Sequence, residues 1–334
     1  MSLTLVTGAT GTVGYALLRQ LVAAGRPVRA LVRSVERAAR ILPGPAAGVV
    51  LVAGDVTDAA SVRRAMTGVT SVFHVAGRPE QWTRDPTLFT RVNVDGTRHL
   101  VEAALAEGVA SFVYTSTINV FEFAPGRPFE ESQLAPAAKS SAYDRSKQLA
   151  DHLVTAAVAR GLPARLLHPA GVYGPAPTLT PGVNDVLVRL ARGQVPLLLP
   201  GGMPLVHSAD VAAGHLLAED APVGSRYILS ESYLSLAELA ALVAGWAGRS
   251  RVPTVLPRPL ARLVATGGTA LARLTGRAPL VSRDELAFLT GHALPSAERA
   301  RRELGWSPRP AAVGVPQTLD TLTGPRLREP RTRP

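Results

Sequence analysis

Three glycines near the start of the chain constrain its fold most. Leu3–Thr7 is a short apolar stretch of strand character, and the run Thr7-Gly8-Ala9-Thr10-Gly11-Thr12-Val13-Gly14 leads from it into an amphipathic helical pattern over Val13–Ala24. Gly8 permits a tight turn, Gly11 lets backbone approach a pyrophosphate, and Gly14 lets the helix pack close to the strand. Thr10, Thr12 and Val13 complete the turn, whose free amides meet the positive end of the helix dipole. The spacing is G-x-x-G-x-x-G, not the G-x-G-x-x-G of the standard fingerprint. Strand before and helix after make this a dinucleotide-binding turn.

The same alternation continues. Strands are expected at Val28–Val32, Val49–Val52, Ser71–Val75, Phe112–Thr115 and Ala164–His168, with helices at Val35–Ile41, Ala59–Met66, Leu88–Glu107 and Ala142–Arg160. This rhythm predicts an α/β fold, a doubly wound parallel sheet covered on both faces. It breaks near residue 170, where Gly174–Pro181 is a proline-rich loop. A helix over Val183–Arg192, strands near Leu205–His207 and Ser225–Leu229, and helices at Leu236–Ala247 and Ser296–Leu304 complete the expected folded part. The expected domains are a nucleotide-binding unit over 1–173, continued by 205–230, and a smaller, mostly helical substrate lobe over 174–204 and 231–322. The Arg- and Pro-rich segment 323–334 is expected to be a disordered tail.

Composition narrows the classes. With 46% hydrophobic residues among 334, the chain can bury a substantial core. It has no cysteine, which excludes disulfides, thiolate nucleophiles and Cys-based metal sites and suits a reducing, cytoplasmic setting. The net charge of +11 comes from arginines scattered among alanine and leucine, so no nucleic-acid partner is expected. No basic leader precedes Leu3–Val6, and Arg258, Arg262 and Arg273 interrupt the one long apolar stretch, Val255–Leu274. That stretch reads as an amphipathic helix pair around Gly267-Gly268 rather than a membrane span. Seven histidines without ligand spacing predict no metal site.

After the second strand, an NAD-specific site would place Asp or Glu to hold the ribose 2′-hydroxyl. Here Val32-Arg33-Ser34 stands instead, with Arg29 before and Arg37 and Arg40 after. A guanidinium can grip a 2′-phosphate bidentately, so NADP(H) is the expected cofactor, with Arg33 as the main contact and Arg37 beside it. Asp55, with Val56, follows the third strand and is placed either to bond adenine or to cap the next helix with Asp58. Tyr143-Asp-Arg-Ser-Lys147 puts a phenol and an ammonium on one helix face. The ammonium stabilises phenolate, so the tyrosine can pass a proton near neutral pH. The fifth strand ends in Tyr114-Thr115-Ser116-Thr117, whose hydroxyls can orient a substrate oxygen.

Together these motifs resemble the extended short-chain dehydrogenases/reductases, from residue 3 to about 310. The resemblance also rests on Gly54-Asp55, His74-Val75-Ala76, Asn93-Val94-Asp95-Gly96-Thr97, Pro169-Ala170-Gly171-Val172-Tyr173-Gly174-Pro175, His207 with Asp210, and Glu303-Leu304-Gly305-Trp306-Ser307-Pro308. It implies a Rossmann-type fold, Tyr143 as acid/base, Lys147 on the nicotinamide ribose, and Thr117 rather than Ser116 as the catalytic hydroxyl. Val75-Ala76-Gly77, Thr115 and the segment Pro169, Gly171 and Val172 would line the cofactor, Asn93 would be a structural asparagine, and a homodimer could form through the two long helices. Within the family the likeness is to the 3β-hydroxysteroid dehydrogenase and dihydroflavonol reductase branch. Sterol-type members often use NAD, whereas Arg29-Ala-Leu-Val-Arg33 matches reductases that use NADP; the arginines bear directly on the phosphate.

Sugar-nucleotide members place Arg or Asn before the proline at 169, and an Arg shortly before the equivalent of His207. This chain has His168 and Met203-Pro204-Leu205. The expected pocket residues are Trp82, Asn119, Phe121, Tyr173 and Leu205. They favour a reductase or reversible dehydrogenase of a hydrophobic carbonyl or alcohol over a sugar-nucleotide epimerase or dehydratase. The third alternative is a non-catalytic NADP-binding regulator.

Overall fold

The computed structural model describes residues 3–79, 83, 85–178, 182–275 and 283–323, with the backbone path alone for 269–275 and 283–285. Seven strands form the central sheet: β1 (Thr4–Thr7), β2 (Val28–Val32), β3 (Val49–Ala53), β4 (Ser71–His74), β5 (Ser111–Thr115), β6 (Ala164–Pro169) and β7 (Arg226–Leu229). All pair in parallel, in the spatial order β7-β6-β5-β4-β1-β2-β3. The order reverses between β1 and β4, and an open α/β sheet takes ligands in the crevice at that reversal, beyond the carboxyl ends of its strands.

Helices cover both faces. Leu17, Leu18 and Leu21 of α1 (Thr12–Ala23) and Val211 and Ala212 of α6 (Ser208–Ala218) pack on one side. Val62 and Met66 of α3 (Ala59–Met66), Leu100 and Val101 of α4 (Gly96–Glu107), and Ala150 and Val154 of α5 (Ala142–Ala159) pack on the other. The short α2 (Val35–Ala39) follows β2. Burial on both faces explains why β1 and β4 are buried at every position rather than alternating. Each fully buried leucine contributes roughly 1.5–3 kcal/mol by leaving water.

Beyond β6 the chain builds a second core. Gly171–Tyr173, Gly202–His207 and Ser232–Ser235 form a three-stranded sheet. Against it lie helices Val183–Ala191, Leu236–Trp246 and Ala311–Thr323, joined through Leu187, Leu239, Val243 and Leu319. Arg309 grips the Asp210 carboxylate through Nε at 3.0 Å and Nη2 at 2.9 Å, and Trp306 Nε1 donates to the Asp210 carbonyl at 2.7 Å. These bonds tie the segment before the last helix to α6.

Several expectations need correction. The helix expected over Leu88–Glu107 is interrupted: Thr90–Asp95 is wound wider, as a π-helix, ahead of α4. The helix pair expected around Gly267-Gly268 is one helix, Arg258–Thr275. A Cβ on Gly267 would meet nothing within 4 Å, so no packing demands the glycine, and its cost of about 1 kcal/mol does not break the helix. The fold does not end at Leu304 but continues through Ala311–Thr323. Gly314 and Pro316 obscure that helix in the sequence; a Cβ on Gly314 would lie 2.4 Å from the Tyr173 hydroxyl. Segment 324–334 lies outside the described residues. No described helix is long and apolar enough to cross a membrane.

Candidate active site

The glycine turn runs from the end of β1 into α1. Gly8 has φ +74°, and a Cβ there would meet Ala76 N at 2.7 Å. A Cβ on Gly14 would lie 2.1 Å from the Gly8 carbonyl oxygen, so the helix can approach the strand only with glycine there. Gly11 differs: a Cβ would meet only the Gly8 oxygen, at an ordinary 3.4 Å. Protein packing does not demand a glycine at Gly11, which is exposed, whereas close approach of a phosphate would. Ser34, Asp58 and Ser141 cap α2, α3 and α5 with their side chains, but Gly11 leaves α1 without a side-chain cap. The amides of the first turn, at Thr12, Val13 and Gly14, are therefore not taken up by a capping side chain. The turn fits a dinucleotide pyrophosphate.

At the end of β2, Arg33 and Arg37 are exposed, and neither guanidinium has a hydrogen-bond or ion-pair partner among the described residues. Arg29 is committed elsewhere, donating to the carbonyls of Ala65 and Thr67 at 2.8 and 2.7 Å. Arg40 pairs with Glu36. Asp55 accepts from the Thr57 amide and hydroxyl at 2.9 and 2.8 Å, and the cap of α3 is Asp58. Val56 is buried beneath Gly96.

Lys147 is the centre of the other end. It is buried, and Nζ donates to the Thr115 carbonyl at 2.8 Å and the Tyr114 hydroxyl at 3.0 Å. Burial pulls its pKa down to about 8, although Asp151, one turn further along α5, opposes the shift. A Cβ on Gly77, beyond the end of β4, would stand 4.0 Å from Lys147 Nζ. Tyr143 lies one turn before the lysine, half-buried, edge-on to Phe89 at 6.0 Å. Asn93, in the π-helical turn, accepts from the Arg78 amide at 2.7 Å and donates to the Arg78 carbonyl at 3.2 Å and to Ser146 at 2.9 Å. Ser146 donates in turn to the Tyr143 carbonyl at 2.7 Å. The loop after β4 is thereby stitched to the turn of α5 that carries Tyr143 and Lys147. Neighbouring His74, bonded to Thr7 and Thr97, is held neutral, its pKa lowered to about 3 by burial and by Lys147.

The hydroxyls after β5 divide. Ser116 donates to Asp151 at 2.7 Å, inside a buried network in which Asp151 also bonds His168 Nε2 at 2.8 Å and Arg226. Burial alone would raise the Asp151 pKa; His168, Arg226 and Ser116 outweigh it and hold the carboxyl well below the usual range. The Thr115 hydroxyl meets His215 at 2.7 Å, leaving its carbonyl for the lysine. Thr117 caps the turn Ile118–Val120, and Asn119 donates to Asp144 at 2.7 Å, beside Tyr143.

The expected pocket wall fares worse. Phe121 is fully buried between Phe129 and His168, with ring centroids at 6.1 and 4.8 Å. Tyr173 and Leu205 are fully buried in the second core. None of the three presents surface to a substrate, because each large side chain is taken up by interior packing. Trp82 lies outside the described residues. Pro169 ends β6, and Gly171 is glycine because the neighbouring strand is close: a Cβ would meet Pro204 O at 2.9 Å. Val172 is partly buried and packs against the core. Tyr114 stands in the expected run of strand-five hydroxyls and Asn93 is the expected structural asparagine, whereas Ser146 and Arg78 enter the site with no such expectation. The only sequence signal for Ser146 was its adjacency to Lys147.

A phosphate-fitting turn at the sheet reversal, with a buried lysine and a tyrosine beyond the neighbouring strands, defines a Rossmann-type dinucleotide-binding protein. The chain belongs to the NAD dependent epimerase/dehydratase family, whose model matches residues 4–228, within the extended short-chain dehydrogenase/reductase superfamily. The family binds nicotinamide dinucleotides. The chain is 33% identical to a putative dihydroflavonol 4-reductase of Synechocystis sp., over 90% of this chain and 88% of that one. It is 32% identical to a 4-hydroxy-2-methyl-3-oxo-4-farnesyl-3,4-dihydroquinoline-1-oxide ketoreductase of Stigmatella aurantiaca, over 96% and 95%. Among solved structures it superposes on gox2253 with a TM-score of 0.83 at 33% identity, covering 96% and 98%.

Proposed function

We propose that the protein is an NADP(H)-dependent oxidoreductase that reduces a hydrophobic ketone or aldehyde, or runs the reverse alcohol oxidation, with Tyr143 as proton donor and acceptor. The observation that carries this reading is the buried Lys147 ammonium, held by Thr115 O and Tyr114 Oη one turn from Tyr143. The cofactor, held by the Gly8–Gly14 turn, supplies or accepts hydride. In reduction, the nascent alkoxide takes the proton of the Tyr143 hydroxyl, and Lys147 stabilises the phenolate left behind. Two of the three ammonium protons are engaged by protein, and the third is the one assigned to the ligand. Thr117 holds the substrate oxygen, and burial of Lys147 strengthens its field. The reductase names of both relatives, and the apolar substrate in the second name, support the choice of reaction and substrate.

The NADP preference rests on Arg33 and Arg37, exposed and unpartnered among the described residues, where an NAD site would carry an acid. The test is NADPH absorbance with a panel of aliphatic and aromatic ketones, aldehydes and UDP-glucose. Oxidation of NADPH by ketones, abolished in Tyr143→Phe while NADPH binding persists, is the expected result. Full turnover in Tyr143→Phe would refute the mechanism. NAD-dependent turnover of UDP-glucose alone would refute the substrate class.

A further inference from the structure

We propose that Arg78 is a specificity residue of this site, reading an anionic group carried by the substrate near its reacting carbon, a carboxylate being the chemistry that fits. The inference rests on the oxidoreductase reading above. Arg78 follows Gly77 at the carboxyl end of β4, and Gly77 lies against Lys147. Its peptide is fixed on both sides by Asn93, at 2.7 Å through its amide and 3.2 Å through its carbonyl, and Asn93 is linked through Ser146 to the carbonyl of Tyr143. The backbone that carries Arg78 is thus held to the turn that carries Tyr143 and Lys147.

One donor of the side chain is not satisfied. Its Nε is sealed from solvent and has no hydrogen-bond partner. Among the described residues, the other arginines that are not exposed are committed: Arg26 to Glu219, Arg29 to carbonyls, Arg165 to Ala221 and Pro163, Arg226 to Asp151, Arg299 to Glu303, Arg309 to Asp210. A guanidinium is always charged and carries five donors in a rigid fork. Leaving one of those donors buried and unpaired is costly, and a carboxylate that arrives with the substrate and draws the guanidinium round to meet it removes the cost. A cofactor phosphate offers the same anionic oxygens. The link to Tyr143 and Lys147, the reacting end of the site, favours the substrate as the source.

The probes are 3-oxodecanoate and its methyl ester, which differ at the carboxyl end by charge, compared in wild type, Arg78→Gln and Arg78→Lys. Wild type is expected to prefer the acid in kcat/KM. Arg78→Gln should cut the acid-over-ester ratio by about tenfold or more, the size of one charge-assisted hydrogen bond, with Arg78→Lys recovering part of it. The NADPH dissociation constant, read by fluorescence, should not follow. An unchanged ratio overturns the proposal. A loss of NADPH affinity matching the loss in kcat/KM assigns Arg78 to the cofactor and also overturns it. If wild type turns over neither compound, and no ketone or aldehyde of the panel above either, the oxidoreductase reading fails on its own account. Whenever neither compound is turned over, Arg78 is judged by binding: 3-hydroxydecanoate should raise the melting temperature of wild type with NADP⁺ more than that of Arg78→Gln, and equal shifts or none overturn the proposal.

Discussion

The two ends of the crevice are built on opposite plans. At the lysine end the key groups are buried or tied: Lys147 to β5, Ser116 to Asp151, Asn93 to the Arg78 peptide and Ser146. At the β2 end, Arg33 and Arg37 stand exposed without partners among the described residues. Proton transfer needs fixed geometry and a desolvated charge before substrate arrives. Gripping a phosphate needs only charge within reach, and long side chains can order around it on binding. Chemistry is therefore expected to be sensitive to single atoms at the first end, and cofactor preference to be tunable at the second.

That contrast can be broken at either end. The largest effect is expected from Lys147→Met, which keeps the apolar stem but removes the charge. It should lower kcat for ketone reduction by about 10³-fold, given what a positioned proton donor and a buried charge each contribute. A loss below tenfold in steady-state kinetics would mean that the buried ammonium does not serve the reaction. A smaller effect is expected from Arg33→Asp, which places an anion where the 2′-phosphate is proposed to sit. The NADPH-over-NADH ratio in kcat/KM should fall by about 10–100-fold, the range of one or two charge-assisted bonds, with little change in kcat. An unchanged ratio would move the phosphate grip away from β2.

The smallest effect is that of pH. Lys147 loses its proton as pH rises through about 8, because burial has pulled its pKa down. The reduction rate at saturating substrate should therefore hold below about pH 8 and fall by about tenfold near pH 9, one unit beyond. The NADPH preference should not follow over that interval, because arginine stays charged. A kcat profile flat to pH 10 would show that the ammonium is dispensable, and a preference that tracks kcat would show that the two ends are coupled.

The glycine turn and the Tyr143/Lys147 spacing were legible in the sequence because each depends on short-range geometry. Apolar runs and their periodicity likewise placed the first six strands to within a residue or two at their ends. Aromatic side chains misled: Phe121 and Tyr173 have the composition of a pocket wall but lie in the interior. The choice of Thr117 over Ser116 rested on resemblance alone in the sequence. In the fold, Ser116 is engaged by Asp151, 35 residues away, a contact that no local pattern encodes. The π-helical turn at Thr90–Asp95 was read as ordinary helix, since its hydrophobic spacing barely differs from one.

By itself the sequence determined the strand-turn-helix that opens the chain, the parallel α/β rhythm, and the absence of an acid at the end of β2. Those are properties of neighbouring residues, set by backbone sterics and hydrophobic periodicity. Only the tertiary structure decided which polar groups are spent on the fold and which remain for a ligand. Arg29 and Arg33 are four residues apart and chemically identical, yet the first is consumed by the carbonyls of Ala65 and Thr67 and the second has no partner among the described residues. Whether a charge is spent depends on groups that approach from distant parts of the chain, and such distances exist only once the sheet and its helices have packed.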